Sequence, residues 1–210
     1  MLEQHGVKFT SDPDRLRKSL DESGVCYLHA PFFSPALKSV GPVRRSLGVR
    51  TFFNMLGPLV NPTLPKHQLL GVYNLKLLRL YNYIAQHEGI NCTVVHSLDG
   101  YDEISLTSPF KVASSQGERI YTPESLGWNR IAQKELSGGN STDDAAKIFD
   151  NVLHNTATEA QLNCVIANAA FAIVTLEPEI ELNDAIEQAT DSIKSGRALS
   201  AFERFVQLNN

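Results

Sequence analysis

Three carboxylates fall within five residues at Asp99-Gly100-Tyr101-Asp102-Glu103. They directly follow the apolar run Cys92 to His96 (CTVVH), which reads as a buried strand. In α/β proteins ligands gather beyond the carboxyl ends of parallel strands. Clustered hard oxygen donors there suit Mg²⁺, which takes one or two carboxylates and keeps waters and substrate phosphates as its other ligands. A second reading stays open on spacing alone, because Asp-Gly is ordinary turn chemistry and a solvated acidic turn needs no ion.

Three further segments have chemistry to offer. Lys38, Arg44, Arg45 and Arg50 surround Pro42. An arginine here can grip a planar carboxylate through two parallel hydrogen bonds, or the run is a solvated helix face. Phe32, Phe33 and Leu37 beside it line an aromatic pocket or are simply core. Residues 50–62 (RTFFNMLGPLVNP) crowd turn formers among aromatics, as in a loop packed against a cleft. Ser137 to Thr142 is either an anion nest at a helix start or an ordinary capped loop. The six histidines have no metal-ligand spacing, and no Ser, Cys or Lys stands in a recognisable nucleophile context.

The elements that must position these groups follow from periodicity. Ser11-Asp12-Pro13, a capping side chain and then a proline, starts a helix that Gly24 stops. Val25 to Leu28 reads as a short strand, and residues 35–47 as a basic helix bent at Pro42. Strand, helix and strand follow at 68–72, 75–88 and 92–96, with another strand expected over 104–112. This spacing favours a mostly parallel sheet with covering helices, an α/β fold. The last third is helical, over about 143–153, 159–175, 182–194 and 198–208, the second of these apolar nearly all round.

Composition excludes several classes. With 42% hydrophobic residues the 210-residue chain is not disordered, and a net charge of −4 offers no basic field for nucleic acid. Cys26, Cys92 and Cys164 fit neither a disulfide framework nor a zinc spacing, so a reduced, cytoplasmic setting is expected. The longest apolar stretch, Cys164 to Leu176, is broken by Asn168 and too short to span a bilayer, and the opening residues lack a signal-peptide core, so no membrane is expected.

Taken in order, HAPFFSPALKSVGPVRRSLGVRTFFNMLGPLVNP, QLLGV, VVHSLDGYDEISL, TPESLGW, ELSGGN and NAAFAIV resemble the C-terminal portion of the anthranilate phosphoribosyltransferases. The resemblance covers nearly the whole chain. It implies a nucleoside phosphorylase/phosphoribosyltransferase-like fold, in which an α/β domain carries a smaller all-helical lobe. Residues 1–210 would be the C-terminal α/β catalytic domain, truncated at its N-terminal side, with 32–56 belonging to the helical lobe. The implied reaction, in tryptophan biosynthesis, joins the amine of anthranilate to C1 of phosphoribosyl pyrophosphate (PRPP) and expels pyrophosphate. Asp102 and Glu103 match the family's Mg²⁺-binding pair. Arg44 matches the arginine that grips the anthranilate carboxylate, and Pro31 and Leu37 align with positions lining its pocket. A homodimer is implied for the complete family member.

Two departures qualify this. Ser34 stands where many members have His at the anthranilate entry, which bears on anthranilate affinity. The family's GTGGD loop, KHGN segment and Ser-rich stretch, which bind PRPP, occur nowhere in the sequence, and the chain looks as though it begins just after them. The expectation is therefore a chain inactive alone. The alternative is a non-catalytic remnant acting as a binding or regulatory protein.

Overall fold

A computed structural model describes residues 1–34, 46 and 55–210, whose contacts divide into two units, Met1–Leu64 with Ala198–Asn210 and Pro65–Arg197. The expected basic helix over 35–47, Leu37, Arg44 and the 50–54 part of the aromatic loop lie outside the described residues, as does most of 32–56.

In the 65–197 unit, β1 (His67–Gly71) runs parallel to β2 (Asn91–Ser97), joined by α3 (Leu75–His87). Asn74 starts that helix by accepting the Leu77 N–H at 2.9 Å. A crossover helix is what parallel neighbours require. β3 (Phe110–Ser114) then pairs antiparallel to β2, and β4 (Gly117–Tyr121) antiparallel to β3, in the order β1-β2-β3-β4. The sheet is thus mixed, and parallel pairing is confined to β1 and β2. Its second half turns back because Ser115-Gln116 is a two-residue hairpin and no helix separates β2 from β3.

The strand expected over 104–112 begins only at Phe110. Residues 104–109 are held in another conformation, with Leu106 at φ 58°. Val95, Leu106, Phe110, Val112, Ala167 and Phe171 are buried together between the sheet and α5 (Glu159–Leu176). By length and composition this 18-residue helix would suffice to cross a membrane, which corrects the argument from the shorter stretch 164–176. Its apolar surface instead packs on β1, β2 and α6 (Leu182–Lys194). α4 (Thr142–Leu153) precedes it.

In the other unit, α1 (Pro13–Ser23) is capped by Asp12, which accepts the Asp14 N–H at 2.9 Å, and ends at Gly24 with φ 73°. α2 is the short turn Ala30–Phe33. The C-terminal α7 (Arg197–Asn209) is fastened to the N-terminal segment: Lys8 N–H donates to the Asn209 carbonyl at 2.7 Å, and Asn209 Nδ2 to the buried Ser19 hydroxyl at 2.9 Å. Val25 to Leu28 forms no strand, since no described residue pairs with it. Its backbone is held by the Ser19 hydroxyl, donating to the Val25 carbonyl at 2.8 Å. The rings of Tyr27 and His29 stack on Phe9 at centroid distances of 5.0 and 4.4 Å.

Candidate functional site

Because β1 and β2 are parallel, their carboxyl ends, Gly71 and Ser97, lie on the same side of the sheet. The acidic turn follows Ser97 there and folds against the end of β1. A Cβ on Gly71 would fall 1.5 Å from the Asp102 carbonyl oxygen, so only glycine lets the turn come this close. Ser97 closes the turn: its N–H donates to the Tyr101 carbonyl at 3.0 Å and its hydroxyl to the Glu103 carbonyl at 2.7 Å.

Of the three carboxylates, Asp99 is used structurally. It accepts from the hydroxyls of Thr107 at 2.5 Å and Ser108 at 2.8 Å, and from the Gln133 amide at 3.4 Å. Burial alone would raise its pKa, but these donors outweigh it and hold the carboxyl below its ordinary value. Ser97, Ser105 and Thr107, all buried, continue the chain, with Ser105 Oγ 3.1 Å from Ser97 Oγ and 2.7 Å from Thr107 Oγ1. With the Thr107 proton on Asp99 and the Ser97 proton on Glu103, the Ser105 hydroxyl donates to one of its two neighbours. This network is what diverts residues 104–109 from strand geometry.

Asp102 and Glu103 reach solvent at the turn's surface, Glu103 with its carboxyl partly withdrawn from water. Burial, and then the charge of Asp102, push the Glu103 carboxyl above its ordinary value. Two adjacent carboxylates, with no third His, Cys, Asp or Glu completing a cluster among the described residues, make an open site of hard oxygens. That donor set fits Mg²⁺ retaining water and phosphate ligands, and does not fit a closed zinc site.

Beside Glu103 opens a cavity of about 470 Å³, bordered by Tyr101, Ser137, Gly138, Cys164 and Asn168. The Cys164 thiol is pushed up to about 12, by burial first and then by the Glu103 charge, and so is no nucleophile. The Ser137–Thr142 segment resolves as a capped loop. The Asn140 N–H donates to Asp144 Oδ2 at 3.1 Å, and Ser141 Oγ accepts the Asp144 N–H at 3.1 Å, so the chain's own carboxylate fills the nest. Gly139, at φ 82°, allows that wrap.

The other sequence-derived candidates belong to the Met1–Leu64 unit. Pro31 is exposed in α2, and Ser34, half-buried, ends it by donating its N–H to the Ala30 carbonyl at 2.9 Å. Arg44 and Leu37 fall outside the described residues. Sequence reading missed Gly71, the Ser97/Ser105/Thr107 hydroxyls and Asn168. The traces were there in a glycine ending a strand, small hydroxyls flanking an acidic turn, and one Asn in an apolar helix.

The model of the glycosyl transferase family, a/b domain, matches residues 1–199. The anthranilate phosphoribosyltransferase of Bacteroides thetaiotaomicron is 60% identical over 210 residues, and that of Cytophaga hutchinsonii 51% over 207. The chain spans 63% of the length of both curated relatives, and they cover 100% and 99% of it. The crystal structure of anthranilate phosphoribosyltransferase from Thermus thermophilus superposes with a TM-score of 0.89 at 31% identity, over 99% of this chain and 62% of that one. The Saccharomyces cerevisiae enzyme in complex with PRPP and Mg shares the fold, with a TM-score of 0.89 at 24% identity, over 99% and 59% of the two chains.

Proposed function

This chain belongs to the glycosyl transferase family, a/b domain, and from that premise we propose that it serves anthranilate phosphoribosyl transfer in tryptophan biosynthesis. In that reaction the anthranilate nitrogen bonds to C1 of PRPP, the C1–O bond to pyrophosphate breaks, pyrophosphate leaves with the electron pair, and the amine loses a proton to solvent. The observation that carries this reading is the Asp102-Glu103 pair, presented at the carboxyl ends of two parallel strands while Asp99 is occupied in holding the turn. The names of the relatives, and the PRPP and Mg bound by the yeast structure, supply the substrates.

Asp102 and Glu103 would hold Mg²⁺, which when bound neutralises charge on the pyrophosphate and eases its departure. The repulsion between the two carboxylates is then relieved. Arg44 pairs with the anthranilate carboxylate through two parallel hydrogen bonds, a geometry a lysine does not reproduce. Pro31, Ser34 and Leu37 border the ring. The Ser34 hydroxyl offers no ring face for stacking, so anthranilate is held more weakly than beside an imidazole. Positioning of two substrates supplies most of the rate, with little proton chemistry asked of the protein. A cytoplasmic location and a homodimer belong to the same reading, and follow from the resemblance.

The test is the loss of anthranilate fluorescence with purified chain, PRPP and Mg²⁺, beside anthranilate binding by calorimetry. Because the 210 residues contain no GTGGD or KHGN segment, the expected result is anthranilate binding, abolished in Arg44→Ala, without turnover. Turnover abolished by Asp102→Asn would keep the reaction and remove the need for a glycine-rich cradle. A folded chain that binds neither anthranilate nor a divalent cation would overturn the reading in favour of a non-catalytic role.

A further inference from the structure

Asn168 is the single strongly polar side chain in the apolar run Cys164 to Leu176 of α5, and its amide is bound at both ends. Oδ1 accepts the Ile104 N–H at 3.0 Å, while Nδ2 donates to the Ile104 carbonyl at 2.8 Å and to the Cys164 carbonyl at 2.9 Å. One side chain thus satisfies both backbone groups of a fully buried residue, as a neighbouring strand would. The Cys164 thiol adds a donation to the same Ile104 carbonyl at 3.0 Å.

Ile104 follows Glu103, and the peptide joining them is held from two sides. Its N–H goes to Asn168, and its C=O accepts the Ser97 hydroxyl at 2.7 Å. A planar peptide held at both its polar atoms fixes the position of the Glu103 Cα, the point from which that carboxylate's side chain leaves the backbone. We propose that Asn168 is a positioning residue for the Asp102-Glu103 pair, fixing the peptide from which the cation-holding carboxylates project; this rests on the metal reading above. The role needs a short side chain that both donates and accepts. Aspartate cannot donate to the Ile104 carbonyl, leucine can do neither, and glutamine is one methylene too long for a contact already at bonding distance. Partners that orient metal ligands from behind typically carry roughly 10–100-fold in metal affinity.

The experiment measures Mn²⁺ binding to the full 210-residue chain by electron paramagnetic resonance, with no turnover required. Four proteins are compared: wild type, Asp102→Asn, Asn168→Leu and Thr175→Val. The last removes a buried hydroxyl lying between Thr93 and the Phe171 carbonyl on the same helix, away from the acidic turn. Expected are loss of binding in Asp102→Asn, affinity weakened about tenfold or more in Asn168→Leu, and wild-type affinity in Thr175→Val whatever its loss in Tm. If Asn168→Leu binds Mn²⁺ like Thr175→Val while Asp102→Asn does not bind, Asn168 is only structural and the proposal falls. If Asp102→Asn binds as wild type does, the metal reading fails and takes this inference with it. Should Asn168→Leu not fold, wild type alone decides. Coupling between clamp and cation is reciprocal, so saturating Mg²⁺ must slow hydrogen exchange at the Ile104 amide, and an unchanged rate there overturns the proposal.

Discussion

Glu103 stands where its own ionisation is costly. Burial, then the adjacent Asp102 charge, hold its carboxyl above the ordinary range. The folded chain therefore binds that proton more tightly than the unfolded one. Its contribution is most favourable at low pH and is lost as pH rises from the ordinary carboxylate value through the raised one. At neutral pH without a divalent cation the charged group is a net cost. Glu103→Gln should raise Tm at pH 7 in chelator, with the gain shrinking as the pH is lowered below the ordinary carboxylate range, and Mg²⁺ should stabilise wild type more than the variant. A variant that melts lower than wild type at pH 7 in chelator would show that the charge is already compensated. Asp99, two carboxylates in the same turn notwithstanding, behaves oppositely. Its hydrogen bonds hold it ionised, so its stabilisation fades as the pH falls through its lowered value. Sequence spacing located these carboxylates but could not tell them apart. The distinction rests on Thr107 and Ser108, eight and nine residues on, folding back over Asp99.

At the scale of elements, what was legible was whatever local periodicity decides. The helices at Leu75–His87, Thr142–Leu153, Glu159–Leu176 and Leu182–Lys194 stand within a residue or two of their sequence bounds, and the first three are capped by the side chains of Asn74, Ser141 and Thr158. The failures lie where long-range partners decide. Val25 to Leu28 has strand composition and no strand beside it, and residues 104–109 have strand composition but are captured by hydroxyls and by Asn168. Gly71 shows the same limit: a glycine ending a strand is legible, but the Asp102 backbone it makes room for is 31 positions away. A methyl at 1.5 Å from a carbonyl oxygen cannot be accommodated by side-chain motion, so Gly71→Ala must push the acidic turn off β1. We expect a loss of roughly 2–4 kcal/mol, in the range of severe overpacking, and Mn²⁺ affinity weakened at least as much as by Asn168→Leu. Wild-type affinity in a folded Gly71→Ala protein would mean that the turn relocates without disturbing its carboxylates.

For the whole molecule, chain order and spatial grouping part company. The last 13 residues cluster with the first 64 rather than with the helices that precede them. The amphipathic pattern of 198–208 announces a helix, but nothing in it names the N-terminal segment as its partner. The fastening is polar and specific: the Asn209 amide reaches the buried Ser19 hydroxyl and the Phe205 carbonyl, at 2.9 and 2.8 Å, Arg204 pairs with Glu22, and His5 meets Phe202 edge-on at 5.1 Å. Ser19 in turn holds the Val25 carbonyl, so α7 supports α1 and the segment leading to α2 through one buried hydroxyl. Asp102, Glu103, Ser97 and Asn168 all lie within Pro65–Arg197, and the bonds described for the turn are made inside that unit. The two can therefore be separated by mutation. Asn209→Ala, leaving Ser19 without its donor, should cost about 1–3 kcal/mol, seen as faster hydrogen exchange over residues 13–25, while Mn²⁺ affinity at the acidic turn stays at the wild-type value. Equal loss of protection in β2 and at Ile104 would mean instead that the chain unfolds as one cooperative body, with the cation site dependent on the C-terminal helix after all.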